Sequence, residues 1–84
     1  MKIEETWGIA YQRVCEFFSL QQDVLSEESG RFLFRDAVIL PEHLPDRKLG
    51  SLVLPQTGIC ITGEDEAVKE IYQRFYFRFL SAGG

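Results

Sequence analysis

The spacing of apolar residues changes twice along this chain, and each change limits what it can fold into. From about Glu4 to Leu25, Trp7, Ala10, Tyr11, Val14, Phe17, Phe18, Val24 and Leu25 keep the i, i+3, i+4 spacing of one helix face. Between Arg31 and Thr62 the apolar residues fall into short runs punctuated by Pro and Gly, the pattern of extended segments and turns. From Glu64 to about Leu80 the helical spacing returns through Val68, Ile71, Tyr72, Phe75, Tyr76, Phe79 and Leu80. The chain has 84 residues, a length that favours one domain with a modest core. Residues 1–84 are therefore read as a single domain, with 81–84 as a frayed tail.

The segments predict specific elements. Thr6 is placed to cap the first helix, with Glu4 and Glu5 near its positive end. Ser26–Gly30 is a polar stop with a glycine suited to a left-handed residue. Arg31–Leu40 reads as one strand, with Phe32, Phe34, Val38 and Leu40 on one parity and Leu33, Ala37 and Ile39 on the other, and a bulge near Asp36. Pro41 is expected to stop the pairing and Pro41–Gly50 to form a ten-residue connection. Ser51–Leu54 and Ile59–Thr62 are read as a hairpin turning on Pro55-Gln56-Thr57-Gly58. Glu64, Asp65 and Glu66 open the last helix with three carboxylates at its positive end. The expected fold class is α+β: order α-β-β-β-α, a three-stranded antiparallel sheet packed by two amphipathic helices.

Reactive groups are sparse. One His and no C-x-x-C pattern oppose a zinc site. Adjacent carboxylates at 64–66 diverge on a helix, and no calcium loop surrounds them. Cys15 and Cys60 each sit in an apolar segment and read as reduced, buried thiols. No catalytic residue, metal or cofactor is expected. His43, with Asp46 and Arg47, marks the 41–50 connection as a candidate ligand loop. The expected element order matches double-stranded RNA-binding domains in order and size only. Those domains clamp phosphates with basic residues at the start of the last helix, where this chain carries three acids. No nucleic-acid partner is expected. The longest apolar run is four residues, Ala37–Leu40, far short of a membrane span. The early Glu4 and Glu5 oppose a signal peptide. A cytoplasmic protein with no membrane partner is the expectation.

Aromatic residues are the informative excess, at 13% of the chain. With Arg74 and Arg78 interleaved, Tyr72, Tyr76 and Phe77 resemble the composition of interface cores. Phe34 and Ile39 join them because the strand is apolar on both parities. The expected function is a non-enzymatic interaction module, such as a small subunit, adaptor or assembly factor, meeting a protein partner or forming a homodimer. Residues 1–30 carry two basic and six acidic side chains. That asymmetry supports an alternative, an acidic inhibitor such as an antitoxin, an immunity protein or a nucleic-acid mimic. A small-ligand or regulatory role for the Pro41–Gly50 loop is the third reading.

Overall fold

A computed structural model describes residues 1–82 and resolves five strands and two helices. The strands are β1 (Lys2–Trp7), β2 (Ser26–Glu28), β3 (Arg31–Leu33), β4 (Ala37–Leu49) and β5 (Leu52–Gly63). The helices are α1 (Tyr11–Ser19), between β1 and β2, and α2 (Asp65–Ala82), after β5. The strands form one antiparallel sheet in the order β1-β5-β4-β3-β2. The fold is thus α+β with a five-stranded sheet and the order β-α-β-β-β-β-α. The three-stranded sheet and the α-β-β-β-α order are both overturned.

Each difference has a local cause. Residues 2–7 alternate rather than spiral: Ile3 and Trp7 face the helices while Lys2, Glu4 and Thr6 face away. Glu5 hides this alternation because it is the acidic member of the inward row. Its carboxylate accepts hydrogen bonds from Trp7 Nε1 (2.9 Å) and Tyr72 Oη (2.8 Å). The first helix is only nine residues long. At its C-terminal end the Glu16 carbonyl accepts from Leu20 N–H and Ser19 Oγ, and Gln21 Nε2 donates to the Phe17 carbonyl. Gly30 does have a left-handed φ of 77°, but with Ser29 at 52° it turns the β2–β3 hairpin.

The expected strand Arg31–Leu40 is two strands. The chain reverses at Arg35–Asp36, and Phe34 N–H donates to the Ala37 carbonyl at 2.8 Å. That reversal exchanges the two parities, as a one-residue slip would. Phe32, Ala37 and Ile39 point to the helices; Leu33, Val38 and Leu40 point the other way. Pro41–Leu49 continues β4, so the expected connection is a strand. The β4–β5 hairpin turns at Gly50–Ser51, not at Pro55–Gly58. Pro41, Pro45 and Pro55 are tolerated because they lie beyond the pairing with β3 or β1, where each strand has one neighbour. Helix α2 runs through Ala82, and Gly83 and Gly84 of the expected tail lie outside the described residues.

Both helices pack on one sheet face. Val14 and Phe18 of α1 and Val68, Ile71, Phe75 and Phe79 of α2 are buried against Phe32, Ala37, Ile39, Ile59 and Ile61 of the sheet. Phe18 and Phe75 stack with ring centres 5.6 Å apart and planes 7° from parallel. Trp7 meets Phe75 edge-on at 5.0 Å, and Phe17 meets Phe79 at 5.5 Å. Thr57 is fully buried on the inward row, and its hydroxyl donates to the Ile9 carbonyl at 2.6 Å. Gly63 turns β5 into α2 with φ 146°. A Cβ there would lie 2.2 Å from the Asp36 carbonyl oxygen.

Two substitutions check this packing by urea unfolding. Gly63→Ala forces both the clash and an unfavourable φ, so it lowers stability by more than about 1 kcal/mol. Thr57→Val strands the Ile9 carbonyl and costs about 1–3 kcal/mol. Unchanged midpoints would contradict the placement of both residues.

Candidate interaction surface

The helices leave the second sheet face without a covering layer. Alternation along β5 places Leu52, Leu54, Gln56, Gly58, Cys60 and Thr62 on that face. Their β4 partners are Leu49, Arg47, Leu44, Glu42, Leu40 and Val38. Between Leu44 and Arg47 one extra β4 residue is accommodated, so Pro45 and Asp46 together oppose Pro55. The bulge restores Arg47 and Leu49 to the same face as Leu44. The open face therefore carries a row of leucines that ends at the hairpin tip.

That tip projects. β1 pairs with β5 only over residues 57–62, and β3 pairs with β4 only at Val38 and Ile39. Residues 43–49 and 52–56 form a two-stranded arm. Leu52 is 62% exposed, Val53 56% and Leu54 40%. Leu40 and Leu49 are exposed as well. A two-stranded ribbon is marginal by itself, and this one carries contiguous exposed apolar side chains and open strand edges.

The residues singled out in the sequence are dispersed by the fold. Phe34 and Ile39 are buried in the core. Tyr72 is half-buried; burial first, and its hydrogen bond to Glu5 second, push its hydroxyl up to about 12. Arg74 joins α2 to the segment after α1. Its two terminal nitrogens donate to Asp23 at 2.8 and 2.9 Å, and it also reaches Glu70 at 3.1 Å and Gln21 at 3.4 Å. Arg78 lies over the Phe79 ring at 5.4 Å, as Arg13 does at 5.5 Å. Tyr76 is partly exposed, and Phe77, on the outer side of α2, is 67% exposed.

His43 pairs with Thr57 in the ladder and sets its ring 5.5 Å from Tyr11. Asp46 lies in the bulge and Arg47 on the open face. These three residues lie along a strand, so they do not form a loop pocket. Cys15 and Cys60 are free and half-buried; burial raises the Cys15 thiol, which opposes a reactive thiolate there. Among the described residues no three His, Cys, Asp or Glu side chains cluster as metal ligands, and no helix is long and apolar enough to cross a membrane.

Leu44, Leu49, Leu52, Val53 and Leu54 were missed as candidates. Their sequence signal is weak but present: apolar and basic residues bracketed by Pro41 and Pro55 around Gly50. No protein-family model matches the sequence, and no curated protein does either.

The Arg74 contact has a pH signature. Its hydrogen bonds hold the Asp23 carboxyl below the usual carboxylate range. A depressed folded value means the stabilisation is present at neutral pH and is lost as pH falls through that value. Because Asp23 is half-exposed, solvent screens the pair, and Asp23→Asn costs less than about 1 kcal/mol at neutral pH. The difference from the unsubstituted chain should shrink below about pH 4 in denaturant titrations. A constant difference down to acid pH would contradict the pairing.

Proposed function

We propose that this chain is a non-catalytic protein-interaction module whose working surface is the open sheet face and the arm that extends it. The observation that carries the reading is the alignment of Leu40, Leu44, Leu49, Leu52 and Leu54 on one uncovered face. Such a surface costs free energy in water, and it is retained on a chain with a complete aromatic core beneath the other face. The aromatic side chains therefore support the reading indirectly. Phe18, Phe75 and Phe79 are spent on the core, and the arm offers the contact surface.

The acidic-inhibitor reading gains less support from the fold. Of the acids in residues 1–30, Glu4 pairs with Lys2, Glu5 accepts from Trp7 and Tyr72, and Asp23 holds Arg74. Two acids of that cluster, Glu4 and Asp23, are thus paired with cations within the molecule.

Site-specific photocrosslinking in the native cell tests the proposal. A benzophenone amino acid at position 54 should form defined protein adducts, including adducts between copies where the partner is the same chain. The same group at exposed Glu28 serves as the control. Thermal unfolding should be almost unchanged by the label, since Leu54 is exposed in the free chain. Equal, diffuse labelling from both positions would contradict the proposal.

A further inference from the structure

Resting on that reading, we infer that the chain covering the open face is a second copy of this one. The two sheets stack face to face about a two-fold axis lying between them at the level of Leu44 and Gln56. The inference comes from the order of side chains on the face. Along β4 and β5 it has six ranks: Leu49 with Leu52, Arg47 with Leu54, Leu44 with Gln56, Glu42 with Gly58, Leu40 with Cys60, and Val38 with Thr62, the last lying beyond the tip of the second copy when the axis sits at the third rank. A two-fold axis in the interface plane at the third rank lays each strand over its own copy in the opposite direction. The first rank then meets the fifth, and the second meets the fourth.

This register joins apolar or oppositely charged side chains at the first and second ranks, with Leu44 and Gln56 each facing their own copy at the third. Arg47 faces Glu42 of the second copy, and symmetry forms the pair twice. Leu54 faces Gly58, where the strand has no side chain. Around that glycine the face sinks into a trough of about 650 Å³ lined by Lys2, Glu4, Leu40, Glu42 and Leu44, which receives the leucine. Leu49 and Leu52 meet Leu40 and Cys60, and Leu44 meets its own copy. Stacked sheets lie about 10 Å apart, which suits a large side chain over a glycine and an arginine reaching a carboxylate. Neighbouring registers are penalised. An axis at the second rank opposes Arg47 to Arg47, and one at the fourth opposes Glu42 to Glu42, both like-charge contacts. An axis at the third rank thus avoids both like-charge contacts and forms the Arg47–Glu42 pair twice, a match that a surface shaped for an unrelated partner has no need to show.

Sedimentation velocity on the full chain, with Arg47→Glu, Glu42→Arg and the double exchange, tests the inference. The unsubstituted chain should dimerise in the micromolar range. Each single charge reversal should weaken the dimer roughly tenfold or more, and the double exchange should recover most of the loss. Circular dichroism provides the folding control, since both residues are exposed. A chain that stays monomeric, or a dimer that the double exchange fails to rescue, overturns the inference. If the chain is monomeric while the position-54 label captures a different protein, only the self-association fails. If it is monomeric and that label gives nothing beyond the Glu28 control, the interaction reading fails with it.

Discussion

The stacked rings of Phe18 and Phe75 set the arrangement of the whole molecule. One ring comes from each helix, and their contact ties both helices to the same side of the sheet. Trp7 and Phe32 close on this pair from β1 and β3, so strands distant in sequence are held by one aromatic cluster. Rings of this size fill a thin core with few residues. The consequence is asymmetry. With nine residues in α1 and eighteen in α2, both committed to one face, no helix among the described residues remains for the other.

That asymmetry gives the β4–β5 hairpin its significance. Over its inner half the hairpin is ordinary sheet, flanked by β1 and β3. Past those strands it continues as an arm whose apolar residues are shared between two faces and an exposed tip. The bulge at Pro45–Asp46 keeps Arg47 and Leu49 in line with Leu44 and Leu40. Without the extra residue, the leucine row would break at the base of the arm. The same bulge sets Arg47 two ranks from Glu42, the spacing on which the proposed two-fold register rests. The bulge, the charge order and the Gly58 position thus meet on one surface.

Parts of this were legible in the sequence. Helix α2 was, because helical spacing is sustained over its length and three carboxylates mark its start. The two-sided apolar character of Ala37–Leu40 was also visible, and the structure uses it: Ala37 and Ile39 serve the core while Val38 and Leu40 lie on the open face. What was lost was the parity relation to Leu33, because a two-residue reversal at Arg35–Asp36 carries no Gly or Pro to announce it. β1 was read as helix because Glu5 breaks its alternation, and the carboxylate's partners, Trp7 and Tyr72, come from both ends of the chain. The hairpin was misplaced for the converse reason. Pro55-Gln56-Thr57-Gly58 carries strong local turn chemistry, but pairing with β4 and the buried Thr57 hydroxyl hold it extended. The arm was invisible because its exposure depends on where β1 and β3 end, which spacing along β4 and β5 does not encode. The aromatic stripe of α2 was real, but α2 lies against both α1 and the sheet, so Val68, Ile71, Phe75 and Phe79 are buried while Tyr76 and Leu80 stay exposed.

Hydrogen–deuterium exchange as a function of protein concentration addresses the central claim most directly, that the open face and its arm are covered by a second copy. In a two-stranded ribbon exposed to water the amides open readily, whereas those of a stacked sheet are protected. The account requires protection of residues 43–56 to rise as concentration passes through the dissociation constant, with Ile39 and Ile61 in the core unchanged. Exchange of residues 43–56 that is fast at every concentration would contradict it.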